Sequence, residues 1–188
     1  FEICVFLIKL LEDKNPGDKN GWTPLHRAAQ NGHLEVCKLL FKHLNNKNPR
    51  DGKGYTPLHS ASTNGHLEIC KAIIMHLGEK NPTDKYGATP LHLAVYCDHF
   101  EVCKFLMENL HDKNPECHIG WTPLHIAADK GLLEICKLLM KNIDNKNPID
   151  NYGITPLHRA SMKGHLDVFK QIIQYLDIMN PSNNFGWT

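Results

Sequence analysis

Histidine and cysteine are the residues of this chain best suited to chemistry, because imidazole and thiolate bind transition metals and imidazole transfers protons near neutral pH. The 188 residues include thirteen histidines and seven cysteines. The closest group is Cys97, His99 and Cys103, and the last two are spaced i and i+4, which places them on one face of a helix. A zinc site or an acid–base centre is therefore the first hypothesis to test against the spacing.

The spacing favours a structural role for both residue types. Five cysteines recur 33 residues apart, at Cys4, Cys37, Cys70, Cys103 and Cys136, and Phe169 takes this place in the next copy. Packed helices lie about 8–10 Å apart, whereas the Cα atoms of a disulfide lie within about 7 Å, so neighbours in this column are too distant to pair. The column predicts small buried residues with free thiols, which is typical of a reducing compartment such as the cytoplasm or nucleus.

Catalysis and cofactor binding find no support elsewhere in the sequence. The chain contains no glycine-rich phosphate loop. A catalytic serine would stand beside acidic and basic residues found in its own repeat alone, and no serine of this chain does. We expect no enzyme activity, no metal and no cofactor.

Five of the histidines belong to a motif that sets the period. Thr-Pro-Leu-His occurs at Thr23–His26, Thr56–His59, Thr89–His92, Thr122–His125 and Thr155–His158, always 33 residues apart. A fixed period of this length indicates one structural unit copied along the chain.

Each unit predicts two helices and a turn. Thr23 is suited to cap the first helix, with proline at the first helical position, and Gly32 is suited to end it. The second helix begins near Leu34 and stops at an Asn-Pro pair. The acid and glycine of Asp51–Gly54 favour a type I turn. Neither helix can bury its apolar face alone, so the units must stack.

This unit resembles the ankyrin repeat, and the resemblance covers nearly the whole chain without insertion or deletion. It implies an all-α solenoid of stacked antiparallel helix pairs with protruding β-hairpin loops. We expect a single array over 1–188, cut from a longer one. Its parts are a partial repeat 1–17, full repeats 18–50, 51–83, 84–116, 117–149 and 150–182, and a partial repeat 183–188.

The resemblance also assigns structural roles. It implies that the motif histidines tie the start of each first helix to neighbouring loops, which makes Thr23, His26, Thr56, His59, Thr89, His92, Thr122, His125, Thr155 and His158 structural residues. Many arrays of the family are hydroxylated at a hairpin asparagine, and Asn114 is the position here that fits best.

Four positions of the repeat depart from the family pattern. The glycine that commonly ends the second helix is replaced by Leu44 and its equivalents, which predicts a longer second helix. Asp98 replaces the glycine between the helices of the third repeat, which predicts backbone strain. In the fourth repeat, Leu132 replaces the turn histidine and Cys117 replaces the loop aspartate.

The resemblance implies that a partner binds the concave face, formed by loop tips and first helices. The positions that differ most between copies fall there, and side chains at such positions are free of packing constraints. The predicted contact residues are Lys19, Asn20, Trp22, Arg27, Gln30, Lys53, Tyr55, Thr63, Lys85, Tyr86, Tyr96, His118, Ile119, Trp121, Asp129, Lys130, Asn151, Tyr152, Ile154, Arg159, Met162 and Lys163. Aromatic residues commonly anchor protein interfaces, although tryptophan recurs in one column and a packing role for Trp22 and Trp121 stays open.

Charge is distributed unevenly over this face. The whole chain carries a formal charge of +1, which argues against binding to nucleic acid or membranes through bulk charge. The predicted contact residues include seven cations and one aspartate, for a net charge of +6, which falls to +2 when the four turn aspartates are added. Two of the lysines are also explained by the helix dipole. We therefore expect an acidic, or mixed acidic and aromatic, protein or peptide partner.

The leading hypothesis is a non-catalytic scaffold for protein–protein interaction. An alternative is a recognition or regulatory arm of a larger signalling, channel or ubiquitin-ligase adaptor protein, and direct nucleic-acid binding is a distant alternative. No stretch approaches the roughly 20 apolar residues of a membrane span. Val5 and Leu10 are apolar where later copies are polar, which predicts that this first helix packs against another segment of the full protein.

Overall fold

The computed structural model describes residues 12–78 and 80–176, and within them ten helices form five pairs. The first helices of the pairs are α1 (Pro24–Gln30), α3 (Pro57–Thr63), α5 (Pro90–Tyr96), α7 (Pro123–Lys130) and α9 (Pro156–Lys163). The second helices are α2 (Leu34–His43), α4 (Leu67–Ile74), α6 (Phe100–Asn109), α8 (Leu133–Asn142) and α10 (Leu166–Ile173). The predicted all-α solenoid is confirmed. The helix expected around Val5 and Leu10 and the partial repeat 183–188 lie outside the described residues.

Each first helix begins at the threonine of the motif. Thr56, for example, is the extended N-cap of α3, and its side-chain oxygen accepts the backbone N–H of His59. The next residue is proline, whose missing N–H would have had no partner in the first turn of the helix. Every first helix therefore starts at the same point of its repeat.

The loops that protrude between repeats are tight hairpin turns. Gly54 donates its backbone N–H to Asp51 O at 3.0 Å, and Asp51 donates to Tyr55 O at 2.9 Å. Gly54 has a φ of +74°, which closes the turn without a Cβ clash. These turns connect the second helix of one repeat to the first helix of the next.

The core is a continuous column of small and branched residues. The motif leucines Leu25, Leu58, Leu91 and Leu124 are fully buried, and so are the cysteines of the second helices, such as Cys70. Small alanines on the first helices let these helices pack more closely on one another than the second helices do. The stack therefore curves toward the first helices, which makes their side concave.

The prediction of a longer second helix is wrong. Helices α2, α6 and α8 end one residue before Leu44, Leu110 and Ile143, and those residues adopt extended backbone angles. Leu110 and Ile143 are buried, each at 5% exposure. An apolar side chain drawn into the core in extended conformation ends the helix where the family uses glycine.

At three of the four junctions between the described repeats, a histidine in the turn between the helices links a repeat to the preceding one. His66 lies over Gly32 of the repeat before it, and its Nε2 donates to Gln30 O at 3.0 Å. A Cβ at Gly32 would approach the ring to 2.8 Å, so the ring requires glycine beneath it. The same arrangement recurs as His99 on Gly65 and His165 on Gly131.

The junction between the third and fourth repeats lacks both the glycine and the histidine of this contact. Asp98 occupies the glycine position with a φ of 59°, and the residue that would stack on it is Leu132. The Cβ of Asp98 takes the space that a histidine ring needs at the other junctions. Two departures that look independent in the sequence therefore meet at one junction between repeats.

Asp98 and Leu132 are predicted to be energetically coupled. Asp98→Gly relieves the left-handed strain and raises the free energy of unfolding by about 0.5–1 kcal/mol. Leu132→His alone destabilises the protein because its ring meets the Cβ of Asp98, but in the Asp98→Gly background it gains a hydrogen bond worth about 1 kcal/mol. Urea unfolding of the wild type, both single variants and the double variant measures this coupling, and strictly additive effects would show that the contact is absent.

Candidate partner-binding surface

The motif histidines hold adjacent repeats together. His59 Nδ1 accepts the backbone N–H of Thr56 at 3.1 Å, and its Nε2 donates to Ala88 O of the next repeat at 3.1 Å. Because a carbonyl can only accept, the proton is on Nε2 and the ring is neutral. The corresponding bonds join His26 to Tyr55 O, His92 to Trp121 O and His125 to Ile154 O. Each acceptor lies beside a loop tip, so these bonds fix the tips relative to the first helices.

Burial keeps these rings neutral. It lowers the pKa of His59 and of His125 to about 4 from the usual 6.5, although the hydrogen bond to the carbonyl acts in the opposite direction. Burial also lowers the pKa of His26 and of His92. These four histidines are therefore neutral at pH 7 and act as structural hydrogen-bond donors.

Aspartates shape the loop tips. Asp51 Oδ1 accepts the backbone N–H of Lys53 at 2.7 Å and of Tyr55 at 2.8 Å. Asp18, Asp84 and Asp150 make the same pair of bonds in their repeats. Cys117 has no carboxylate to make this pair of bonds, and its turn is closed by main-chain bonds such as Gly120 N to Cys117 O at 2.8 Å.

Successive tips are bonded to each other in a row. Gly52 donates its backbone N–H to Asn20 O at 3.0 Å, and three further bonds continue the row. They are Lys85 N to Lys53 O, His118 N to Tyr86 O, and Asn151 N to Ile119 O. The five tips therefore form a connected edge along the concave side, and their side chains project from a backbone that is already ordered.

The structure leaves accessible surface on every residue predicted to contact a partner. Fourteen of the 22 are exposed, and the remaining eight are half-buried: Trp22, Gln30, Tyr55, Thr63, Trp121, Asp129, Ile154 and Arg159. Large apolar side chains stand out among the exposed group, with Tyr86 at 61%, Tyr96 at 58%, Ile119 at 47%, Tyr152 at 54% and Met162 at 59% exposure. Packing within the described repeats does not explain these five side chains.

Comparison with known families decides the identity of the fold. The model of ankyrin repeats in three copies matches residues 1–84, 43–117 and 109–184. The chain belongs to the ankyrin repeat family. No curated protein was found to be similar to it. Ankyrin repeats are typically non-enzymatic modules that mediate protein–protein interaction.

An open groove of about 770 Å³ runs along the tips of the first three ankyrin repeats. Its aromatic wall consists of Trp22, Tyr55 and Tyr86. The Trp22 and Tyr55 rings stack at 6.1 Å between centroids, and Tyr55 stacks on His59 at 5.0 Å. Trp22 and Tyr55 therefore serve both packing and surface, whereas Tyr86 is a surface residue.

Most cations of this face already have partners. Lys85 lies over the Tyr86 ring at 4.7 Å and Lys130 over the Tyr96 ring at 4.0 Å. Lys163 is 3.9 Å from Asp129. Arg27 lies over Trp22 and pairs with Asp18 at 3.5 Å.

Lys19 and Lys53 differ from these cations. Within the described residues, neither side chain makes an ion pair or a cation–aromatic contact, and both lysines line the groove. The sequence alone could not separate these two from the other five.

Arg159 belongs to a buried network that sequence reasoning missed. Its Nη2 donates to Asp150 Oδ2 at 3.1 Å, and its guanidinium lies 4.4 Å from the centroid of the Trp121 ring. Trp121 Nε1 donates to the same carboxylate at 3.2 Å. Burial alone would raise the pKa of Asp150, but the backbone N–H groups of Ile154 and Tyr152 and the guanidinium of Arg159 outweigh burial and lower it. Arg159 therefore joins the fourth and fifth repeats and offers little surface to a ligand.

The other predicted sites lie off the concave face or remain untested. Asn114 is half-buried after α6, with its backbone N–H bonded to Asp112 Oδ1 at 3.0 Å, and its hydroxylation stays a prediction. In residues 12–78 and 80–176, no three histidine, cysteine, aspartate or glutamate side chains form a group able to hold a metal ion. The helices described in those ranges are all too short or too polar to cross a membrane.

Acid is predicted to unfold the array through its motif histidines. Because burial lowers the pKa of His59 and His125 to about 4, the unfolded chain binds more protons than the folded chain between pH 6.5 and about 4. Stability is complete above pH 6.5 and is lost as the pH falls through this window, by about 1 kcal/mol per pH unit for each of these histidines. Urea unfolding from pH 7 to pH 4.5 should show this slope.

His125→Gln should reduce that slope by the contribution of one histidine. His43→Gln is the matched control because His43 is exposed, and it should leave the slope unchanged. Equal stability of the wild type at pH 7 and pH 5 would contradict the assignment.

Asp150 and Asp18 occupy the same column but are predicted to differ in their contribution to stability. Asp150→Ala leaves Arg159 buried without its anion and should cost about 3 kcal/mol or more. Asp18→Ala breaks an exposed, solvent-screened pair and two turn bonds, so its cost should be clearly smaller than that of Asp150→Ala. Thermal unfolding of both variants checks this, and equal losses would show that the buried network contributes nothing beyond the turn.

Proposed function

We propose that this ankyrin array is a non-catalytic scaffold that binds an acidic segment of a partner protein along its concave face. The partner lies across the loop tips and the ends of the first helices. Carboxylates contact the first two tips, and apolar side chains contact the exposed residues further along. The same surface would serve whether the array acts alone or as the recognition arm of a larger protein.

The observation that carries the proposal is the position of the two unpaired lysines. Lys19 and Lys53 line a groove whose aromatic residues are Trp22, Tyr55 and Tyr86. The groove is also lined by Asp51 and Asp84, but these carboxylates accept backbone N–H groups of their own turns. Aromatic residues anchor interfaces, and unpaired cations on the rim attract and orient an acidic ligand. Five of the seven cations on the face are already engaged by other side chains of the array. The attraction for an acidic ligand therefore comes from these two lysines and not from the net charge of the chain.

The middle and end of the face supply apolar contacts. Tyr96, Ile119, Tyr152 and Met162 are all exposed to about half or more of their surface. Lys130 and Lys163 are held against Tyr96 and Asp129, so their charge is partly satisfied within the array. We therefore assign the acidic end of the ligand to the first two repeats and its apolar end to the fourth and fifth.

We also propose a reducing compartment, the cytoplasm or nucleus, as the place of action. Cys37, Cys70, Cys103 and Cys136 are buried free thiols. Burial raises the pKa of Cys37, Cys70 and Cys136 to about 12, which makes these thiols unreactive. Free cysteines in such numbers suit a compartment without oxidative pairing.

The test compares the wild type with Lys19→Glu/Lys53→Glu in quantitative affinity purification, followed by calorimetry on the retained partner. The reversal should weaken binding at least tenfold, since rim charges and their steering are lost. Tyr86→Ala should weaken it by about 10-fold or more if that ring is an anchor. Raising the salt concentration from 50 to 300 mM should weaken wild-type binding and affect the reversed variant much less.

Lys104→Glu/Lys141→Glu is the matched control, with the same change in charge at exposed positions of the second helices α6 and α8. It should bind as the wild type does. Loss of binding in this control alone, or wild-type affinity that salt leaves unchanged, would overturn the proposal. A mobility assay with DNA and RNA at 50 mM salt separates the distant alternative, because tight nucleic-acid binding abolished by the lysine reversal would assign the groove to nucleic acid.

A further inference from the structure

The convex side of the array carries a second feature that the concave face does not explain. Met75 is 81% exposed at the end of α4. The same column holds Lys42, Glu108 and Lys141 in the first, third and fourth repeats, so folding does not require an apolar residue here. An exposed methionine at a position where the other four copies are charged or polar calls for a reason outside the packing of the repeats.

One turn before Met75, α4 carries a small side chain where the neighbouring helices carry large ones. The column that holds Leu39 and Phe105 on the two neighbouring helices holds Ala72 on α4. The helices on both sides therefore rise above α4 at this point. The second helix of the second repeat forms the floor of a notch.

Two open depressions flank this notch and share Met75. One, of about 600 Å³, lies between α2 and α4, and its apolar lining is Leu39, Phe41 and Ala72. The other, of about 520 Å³, lies between α4 and α6 and is lined by Ile74, Leu77 and Phe105. Together they form a bipartite apolar surface centred on Met75, a residue type that adapts readily to different partners.

The rim of these depressions is basic. Their linings contain five lysines, Lys38, Lys42, Lys47, Lys71 and Lys80, and one acid, Glu35. Lys38 and Lys71 form ion pairs with Glu35 and Glu68 on their own helices. Lys42 lines one depression and Lys80 lines the other, so an occupant with acidic flanks complements the surface.

The spacing of the depressions selects a helix over a strand. Neighbouring packed helices are about 8–10 Å apart, which sets the separation of the two depressions across α4. A helix lying across α4 presents side chains i and i+7 on one face about 10.5 Å apart. Side chains on one face of a strand repeat at about 6.6 or 13 Å, which fits less well.

We infer that the convex notch at Ala72 and Met75 is a docking site for an acidic amphipathic helix of a partner protein. Two apolar side chains of that helix, two turns apart, enter the depressions on either side of Met75. Its acidic flanks face the lysines of the rim. This site is separate from the concave face, and neither proposal depends on the other.

The probe is a synthetic 18-residue helix with leucine at positions i, i+3, i+4 and i+7 and glutamate on its flanks. Protein labelled with ¹³C in its methionine methyl groups reports the two faces separately, because Met75 and Met162 are exposed on opposite sides. The Met75 signal should shift on titration and the Met162 signal should not. A peptide of equal composition with scattered leucines is the control and should leave both signals unchanged.

Ala72→Leu is the decisive variant because Leu39 and Leu138 already occupy this column, so the change should be compatible with folding. Filling the notch should weaken binding of the probe at least tenfold. Met75→Lys, which copies the residue of the first and fourth repeats, should also weaken it, whereas Met162→Lys should have no effect. Thermal unfolding of each variant shows whether the fold is retained.

Several outcomes would overturn the inference. The probe could fail to shift Met75, or could bind Ala72→Leu as tightly as the wild type. Binding to vesicles with 30% anionic lipid that Ala72→Leu abolishes, without binding of the probe, would assign the notch to a membrane surface. Self-association in sedimentation that Ala72→Leu abolishes would assign it to a second copy of this chain.

Discussion

The structure depends on a hydrogen bond made by a buried, neutral imidazole between one repeat and the next. The motif histidine accepts from the N-cap threonine of its own helix and donates to a carbonyl beside the next loop tip, as His59 does between Thr56 and Ala88. One ring thus fixes the start of a helix and the position of the following loop. Because the bond recurs at each junction of the described repeats, the tips are held in a row, and a partner meets an ordered edge.

This division of labour explains why the copies are alike inside and different outside. The threonine, proline, leucine and histidine of the motif serve the junction and cannot vary without loss of the stack. Side chains on the tips make no contacts that the stack requires, and Lys53, Tyr86 and Tyr152 lie at these positions. Two junctions between repeats differ from the common pattern. At one junction, Asp98 and Leu132 replace a glycine–histidine contact with a pair that avoids the same clash, and at another, Asp150, Arg159 and Trp121 add a buried charge network.

The sequence predicted the fold nearly completely because the period, the caps and the apolar columns are local signals repeated five times. For the same reason it predicted which residues lie on the tips and the ends of the first helices, and these residues keep accessible surface in the structure. It could not predict which cations are free, because Lys130 contacts Tyr96 and Arg159 contacts Trp121, each across a junction between repeats. It also missed the end of the second helix, where Leu110 and Ile143 turn into the core in extended conformation instead of continuing the helix. The sequence also could not show that Asp98 and Leu132 share one junction, because the turn histidine that Leu132 replaces contacts a carbonyl 36 residues earlier in the chain at the other junctions.

The most direct test of this account is the protonation of the motif histidines, observed by long-range ¹H–¹⁵N correlation NMR of the imidazole rings. The account predicts that His26, His59, His92 and His125 are neutral with the proton on Nε2 at pH 7. His59 and His125 should still be neutral at pH 5.5, with each Nε2 proton coupled to a neighbouring carbonyl. Rings protonated on Nδ1, or rings of His59 and His125 that titrate near the usual 6.5, would contradict the claim that buried imidazoles join the repeats.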